Sequence, residues 1–328
     1  MAISPDISVA MCTYNGAQYI VEQLESMAAQ TLLPAEIVVS DDGSTDGTVA
    51  LLKQTWERLA EHSSGVRKVK FTVLSNKTSL GVTKNFEQAI AATTRPYIFL
   101  ADQDDIWFPA RLETEIAQLN AGAGFVFGDA QLINESGEPL GHSLFEALAL
   151  SNSERTGIVS HPVDVLIKRN IVTGATAAFS RSVFEKATPF PVGWVHDEWL
   201  AMVAALTGER FTMTESLIGY RQHSSNQIGV KKNTLATRMA KLRAEGAERN
   251  ARLLARITSL SERSVELGAS YSAQVLIGSS MKFQRARSAY PRNRAIRWVP
   301  VLGQVLTGRY FRVSNGPRDV LRDLVQPL

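Results

Sequence analysis

Along the first 135 residues, apolar blocks and amphipathic blocks take turns. Residues 7–14, ISVAMCTY, are apolar almost throughout, the pattern of a strand buried on both faces. A helical segment over about 17–29 follows. Residues 36–42, EIVVSDD, read as a second strand that ends in acids, with Ser44 or Thr45 placed to cap a helix over about 46–61. Residues 70–76 form a third strand, and Val82, Phe86, Ala89 and Ile90 within 81–92 fall at helical spacing. A fourth strand spans 97–101. Pro109 is suited to open a helix over about 109–120, and 125–133 is a fifth strand.

Beyond 150 the alternation weakens. Residues 174–180, GATAAFS, predict an inner strand whose small side chains let a ligand or another backbone come close. Residues 193–206 predict an acidic turn entering a buried helix, and 216–229 a strand and then a Ser/Asn/Gly loop. Residues 233–268 carry Arg, Lys, Ala and Leu at helical spacing.

Strands alternating with helices predict an α/β fold: a mostly parallel sheet with helices on both faces and right-handed crossovers. In open sheets of this kind ligands bind outside the carboxyl ends of the strands. Three polar clusters fall at such ends: Thr13-Tyr14-Asn15, Asp41-Asp42-Gly43 and Asp102-Gln103-Asp104-Asp105. The topology therefore predicts that they share one crevice.

Charge divides the chain. Residues 1–228 hold 16 Lys and Arg against 26 Asp and Glu, a net of −10, and residues 229–328 hold 19 against 6, a net of +13. An acidic front and a basic tail predict different jobs for the two parts. The single cysteine, Cys12, lies in an apolar run, reads as a buried structural thiol and suits a reducing compartment. The N-terminus lacks the basic and apolar regions of a signal peptide, and no apolar run is long enough to span a bilayer, so a cytoplasmic location is expected.

The segment 99–109, FLADQDDIWFP, runs an apolar strand straight into three carboxylates. Their mutual repulsion beside a buried strand end calls for a nearby positive charge, and a divalent cation is the simplest source.

Taken with ISVAMCTYNGAQYI, EIVVSDDGSTDGT, VHDEW and GYRQHSSNQIG, this segment resembles the family 2 glycosyltransferases, the inverting group of GT-A fold. The likeness covers roughly residues 7–228. It implies a GT-A domain over 1–228 and a basic, mainly helical extension over 229–328. The variant with DQDDIW, HDEW and YRQH is similar to bacterial transferases of surface-polysaccharide assembly, rhamnosyltransferases among them.

The resemblance also implies roles. Asp102 and Asp104 match an Asp-x-Asp motif that holds Mn²⁺ or Mg²⁺ against a diphosphate, Asp104 as direct ligand and Asp102 as ribose or metal contact. Asp105 is suited to cap the helix near Pro109. Asp41 matches the carboxylate that accepts the imide N–H of a uracil or thymine ring. Thr13 and Tyr14 match positions beside base and ribose, with Asn15 next to them. Lys84 and Asn85 match diphosphate or ribose contacts, an exposed helix face being the other account. Asp197 matches the general base, with Glu198 the alternative and a helix cap the structural one. His223 matches a metal or diphosphate ligand. Arg221, Lys231 and Lys232 suit the diphosphate. Trp107, Trp194 and Trp199 suit sugar stacking or core packing.

The implied partners are a UDP- or dTDP-linked sugar donor and a glycan or lipid-linked acceptor. In 282–312 seven arginines alternate with aromatic and aliphatic residues. That mixture suits an anionic membrane surface at the inner face of the membrane, or packing on protein. Nucleic acid is not expected, because no nucleic-acid motif accompanies the charge. A non-catalytic nucleotide-sugar-binding protein is the alternative function. A nucleotidyltransferase would want a basic, Gly-rich phosphate loop after the first strand, and Thr13-Tyr14-Asn15-Gly16-Ala17 is not one.

Overall fold

In the computed structural model, residues 2–223 and 246–327 are described. The chain runs through β1 (Ala2–Thr13), α1 (Ile20–Ala28), β2 (Leu32–Asp41), α2 (Thr48–His62), β3 (Lys70–Ser75), α3 (Val82–Ala91) and β4 (Tyr97–Ala101). Next come β5 (Ile106–Trp107), α4 (Arg111–Asn120), β6 (Phe125–Gly128), β7 (Gln131–Ile133) and β8 (Pro139–Ser143). Short helices α5 (Leu144–Ala147), α6 (Asn152–Ser160) and α7 (Pro162–Leu166) lead to a 3₁₀ turn at Gly174–Thr176. Then follow β9 (Ala178–Ser180), α8 (Arg181–Ala187), α9 (His196–Leu206), β10 (Phe211–Thr214) and β11 (Ile218–Arg221).

The main sheet has the order β10-β6-β9-β4-β1-β2-β3. β1 pairs in parallel with β2 on one side and β4 on the other. β9 alone runs antiparallel to its neighbours β4 and β6. The chain winds outward from β1 through β2 to β3, then returns to β4 on the opposite side. That reversal of direction opens a crevice at the carboxyl ends of β1 and β4. β1 is buried from Ile7 to Thr13 because helices cover both faces of the sheet, which is why its sequence is almost continuously apolar. A smaller sheet, β5-β11-β7-β8, lies beyond the end of β4, and Asp102–Asp105 bridges the two sheets.

Two expected strands are divided. The run 125–133 breaks at Asp129, whose Oδ1 accepts the N–H groups of Ala130 and Phe145, so β6 stays in the main sheet and β7 joins the smaller one. The run 174–180 is a strand only from Ala178, because the Thr176 N–H and hydroxyl both fold back onto the Thr173 carbonyl. Neither Ser44 nor Thr45 caps α2; the N-cap is Gly47 at φ 92°, and Ser44 is engaged elsewhere.

The C-terminal region is helical: α10 (Gly246–Glu266), α11 (Tyr271–Ser288), α12 (Arg294–Leu306), α13 (Arg309–Val313) and α14 (Pro317–Val325). Ile257 and Leu260 of α10 and Ile277 of α11 join the core that contains Trp199 and Phe179. A separate core of Leu276, Phe283, Tyr290, Val301, Tyr310 and Val313 holds the last helices together. Buried Asp323 is its polar centre, accepting from Arg287 at 2.7 Å through both oxygens, from Arg249 and from the Tyr310 hydroxyl. Arg297 is likewise buried and donates to the carbonyls of Pro291, Arg292, Asp323 and Gln326. Two of the seven arginines assigned to a membrane surface are thus internal braces. Among the described residues no helix is long and apolar enough to cross a membrane.

Candidate active site

At the β1/β4 crevice lies a cavity of ≈ 370 Å³. Its lining includes Thr13, Tyr14 and Asn15 from the end of β1, Asp102 and Asp104 from the end of β4, Asp197 from α9, and Tyr220 and His223 from the end of β11. Segments more than two hundred residues apart therefore meet in one hollow, and each of the three strand-end clusters contributes to it.

The nucleotide-side residues fall into those that face the cavity and those that brace it. Tyr14 is 44% exposed, so its ring is available to a flat ligand. Its backbone is pinned by Gln103, whose amide accepts from Tyr14 N–H at 2.8 Å and donates to the Tyr14 carbonyl at 3.1 Å. A Cβ at Gly16 would overlap that amide, so a side chain there would displace the Gln103 clamp. Asn15, at φ 48°, ties the loops after β1 and β2 together: its N–H donates to Ser44 Oγ and its Oδ1 accepts from Thr45 N–H.

Asp41 does not reach the cavity. It is fully buried, and its carboxylate accepts from the Thr13 hydroxyl at 2.8 Å, the Ser44 hydroxyl and the Ser44 N–H. Asp42, one residue on, is the one that lines the hollow. Its oxygens also order the start of α3 through Ser79 Oγ, Leu80 N–H and Gly81 N–H. Asn85 lines the cavity but is clamped to Ser40, accepting from its hydroxyl and donating to its carbonyl. Lys84 points away, toward Glu87 and the Phe190 carbonyl.

The acidic loop is held from behind. Arg111 is completely buried and stacks on Trp107 at 3.9 Å. Its guanidinium donates to the Leu100 carbonyl at 3.1 Å and pairs with Glu115 at 3.5 Å. This is a positive charge beneath the carboxylates that sequence reasoning missed. Even so, burial pushes the Asp102 carboxyl up to about 7, with Asp104 and Asp197 adding to the shift and Arg111 opposing it. Burial raises Asp105 as well, with Asp104 and Asp102 adding to the shift and the Arg221 N–H and Arg111 opposing it. Asp105 caps no helix; the N-cap of α4 is Ala110, and Asp105 Oδ1 accepts the Arg221 N–H at 3.0 Å.

Asp104 Oδ2 lies 2.8 Å from His223 Nε2. The two side chains hydrogen-bond to each other at that distance, and a carboxylate oxygen and an imidazole nitrogen are donor types that Mn²⁺ accepts. Among the described residues no group of three or more His, Cys, Asp or Glu side chains is arranged to enclose a metal. A cation here fits the electrostatics, because it would offset the repulsion that raises Asp102, and it would draw further ligands from the substrate. Arg221 is buried under Tyr19 and braces the loop, donating to the carbonyls of Asp104 and Glu135 and pairing with Glu22. Lys231 and Lys232 lie outside the described residues.

Across the cavity, Asp197 sits in the first turn of α9, whose N-cap is Val195. Its Oδ2 accepts the Gly174 N–H at 3.0 Å and its Oδ1 the Glu198 N–H at 2.7 Å. Burial pushes its pKa up to about 6, outweighing those two hydrogen bonds and the more distant Arg256. Glu198 turns away and pairs with Arg256 of α10 at 2.7 Å. His196 lines the cavity and stacks on Phe86 with ring centroids 3.8 Å apart. Among the described residues its two nitrogens have no hydrogen-bond partner, and burial lowers its pKa to about 3, so it is a neutral wall beside Asp197.

Trp107 and Trp199 are core residues. Trp194 packs on α10, donating to Ser259 under the Arg256 guanidinium. Gln103, named within its cluster, also lines the cavity, as do Gln18, Tyr19, Gly174, His196 and Tyr220, which were not assigned a role from the sequence. The small-residue run at 174–180 was the one signal for a close approach: a Cβ on Gly174 would lie 2.7 Å from His196 Nε2.

Residues 8–188 match the family model of Glycosyl transferase family 2. An uncharacterized protein of Mycobacterium tuberculosis is 26% identical over 225 residues, 66% of this chain and 59% of that one. The chain thus spans under two thirds of the length of that relative. The putative teichuronic acid biosynthesis glycosyltransferase TuaG of Bacillus subtilis is 28% identical over 137 residues, 42% of this chain and 51% of that one. Among solved structures, S. aureus TarS 1–349 in complex with UDP-GlcNAc aligns with a TM-score of 0.56 at 16% identity, over 85% of this chain and 72% of that one. That likeness is one of fold.

Proposed function

The chain belongs to glycosyl transferase family 2, and from that premise we propose that it transfers a sugar, with inversion, from a UDP- or dTDP-sugar to a hydroxyl of a glycan or lipid-linked acceptor. The sugar is a hexose or a deoxyhexose such as rhamnose. The setting is assembly of a bacterial surface polysaccharide, in the cytoplasm at the inner face of the membrane. One observation carries the reading: Asp102, Asp104 and Asp197 line the same hollow, with the Tyr14 ring at its edge.

In this reading the base stacks on Tyr14. The carboxylate that meets its imide N–H is Asp42, which faces the cavity, while Asp41 braces Thr13 and Ser44 behind it. Asp104 and His223 hold Mn²⁺ or Mg²⁺, with Asp102 beside them. A bound divalent cation offsets the charge of the departing diphosphate. Asp197 accepts the proton of the acceptor hydroxyl as its oxygen bonds to the anomeric carbon and the bond to the diphosphate oxygen breaks. A positioned base of this kind contributes on the order of 10²–10⁴-fold. With Glu198 paired to Arg256, Asp197 is the base this reading uses.

The test is thermal-shift screening against UDP-, dTDP- and GDP-sugars with and without Mn²⁺, followed by donor hydrolysis. A metal-dependent shift with one donor, and hydrolysis lost in Asp197→Asn while the shift remains, is expected. Donor binding with no turnover in either protein would favour a non-catalytic sugar-nucleotide sensor.

A further inference from the structure

We propose that the outward face of α12 is a docking surface for an anionic phospholipid bilayer, lying flat in the headgroup region. α12 has two apolar faces. Val301 is 2% exposed and packs inward with Tyr290 and Tyr310. Away from it Val299 (55%), Leu302 (46%) and Leu306 (80%) stand in solvent, with Trp298 (55%) exposed at the edge between the two faces, one turn before Leu302. Positions 295, 299, 302 and 306 repeat at the three- and four-residue spacing of one helical stripe. No described element covers that stripe.

Charge identifies what covers it. From residue 267 to 318 the chain holds nine Lys and Arg and not one Asp or Glu. Arg287 and Arg297 are spent on internal braces, but Arg292 and Arg294 are exposed at the start of α12, and Arg312 and Arg318 are exposed in the segment that follows it. A second copy of this chain meeting the same face across a two-fold axis would set these cations against one another. Nucleic acid would use the cations but leave the apolar stripe wet. A bilayer with anionic headgroups satisfies both, burying the aliphatic side chains and the indole while the arginines meet phosphates.

The surface is tied to the catalytic side through the helical hairpin. α11 contributes Leu276 and Phe283 to the core that seats α12, and Arg256 of α10 grips Glu198 and Trp194 beside Asp197. A contact at α12 therefore sets the orientation of the cavity relative to the lipid. The inference deepens the reading of a membrane-borne acceptor and is tested apart from it.

Trp298 supplies the probe, because the other four tryptophans are buried. The full chain is mixed with vesicles of phosphatidylcholine alone or with phosphatidylglycerol added, and both flotation and tryptophan emission are read. Flotation and a blue shift with the anionic vesicles only, weakened by salt, are expected. Val299→Asp with Leu302→Asp, and separately Arg292→Glu with Arg294→Glu, should each lower vesicle binding at least about tenfold. Circular dichroism and donor hydrolysis in solution should stay unchanged. Absence of anionic flotation, equal flotation by the variants, or a dimer in light scattering that Val299→Asp with Leu302→Asp dissolves would each overturn the proposal. Loss of donor hydrolysis in the parent chain would instead count against the catalytic reading.

Discussion

Gly174 donates its backbone N–H to Asp197 Oδ2 at 3.0 Å, and it does so because it carries no side chain. A Cβ there would sit 2.7 Å from His196 Nε2 and 3.4 Å from Asp197 Cβ. The carboxylate is thus aimed by a backbone group that only glycine brings close enough. Gly174→Ala should push the first turn of α9 away from the 3₁₀ turn. The expected result is a fall in kcat of at least about tenfold, since small misplacements of a reacting group cost that much or more. Donor affinity, measured by calorimetry, should change little, because the nearest contacts of a Cβ at Gly174 are to His196 and Asp197 and not to the nucleotide-side loops.

The pH profile of transfer should report Asp197. Its pKa is raised to about 6 by burial, and a base must be ionised to accept a proton. The rate should therefore be level above about pH 7 and fall with each unit below 6. The same shift opposes folding: a carboxyl whose folded pKa exceeds its unfolded value loses stability as pH rises from the unfolded value, 3.8, through the folded one. Asp197→Asn should consequently melt at a higher temperature than the parent at pH 8, lose this difference near pH 4, and transfer more slowly by at least about 10².

The strand ends were legible because a strand buried on both faces announces itself as an apolar run, and polar residues at its end stand out. Which of two adjacent acids faces a ligand was not legible. Asp41 is the last residue of β2 and Asp42 the first beyond it, their carboxylates take different partners, and the pattern alone does not say which one meets the open side. β5 has only two residues and offers no periodicity to read. Arg221 read as a diphosphate contact, and Arg287 and Arg297 as cations for a membrane surface or for packing on protein, because their partners arrive from distant sequence: Glu22, Asp323 and the carbonyls near it. A buried, paired arginine and a solvated one have the same letter.

Metal dependence should follow the Asp104 and His223 pair. Asp104→Ala removes an oxygen ligand from the seat and should abolish metal-stimulated donor hydrolysis. His223→Gln removes the nitrogen 2.8 Å from it and should alter selectivity as well as rate. Imidazole favours Mn²⁺ over Mg²⁺ more than an amide does. The ratio of activities with the two ions should therefore shift toward Mg²⁺. An unchanged ratio would place His223 outside the metal's reach.

The buried pair Arg111 and Glu115 allows structure and electrostatics to be separated. Arg111→Met leaves Glu115 buried without its cation, and breaking such a pair costs about 3–5 kcal/mol. Glu115 is already raised to about 7 by burial, so it takes up a proton in the variant and the loss sits toward the low end. Arg111→Met with Glu115→Met replaces the whole pair by apolar volume, which is commonly neutral or stabilising. Denaturation midpoints should thus fall in the single variant and recover in the double. Metal affinity should not recover. Arg111 is the cation that opposes the upward shift of Asp102 and Asp105, and neither variant restores that charge. Both variants should bind Mn²⁺ more weakly at pH 7 and regain part of the loss at pH 8.5, where Asp102 ionises without help. If the double variant recovered metal affinity together with stability, Arg111 would be a packing residue only, and the acidic loop would hold its charge without it.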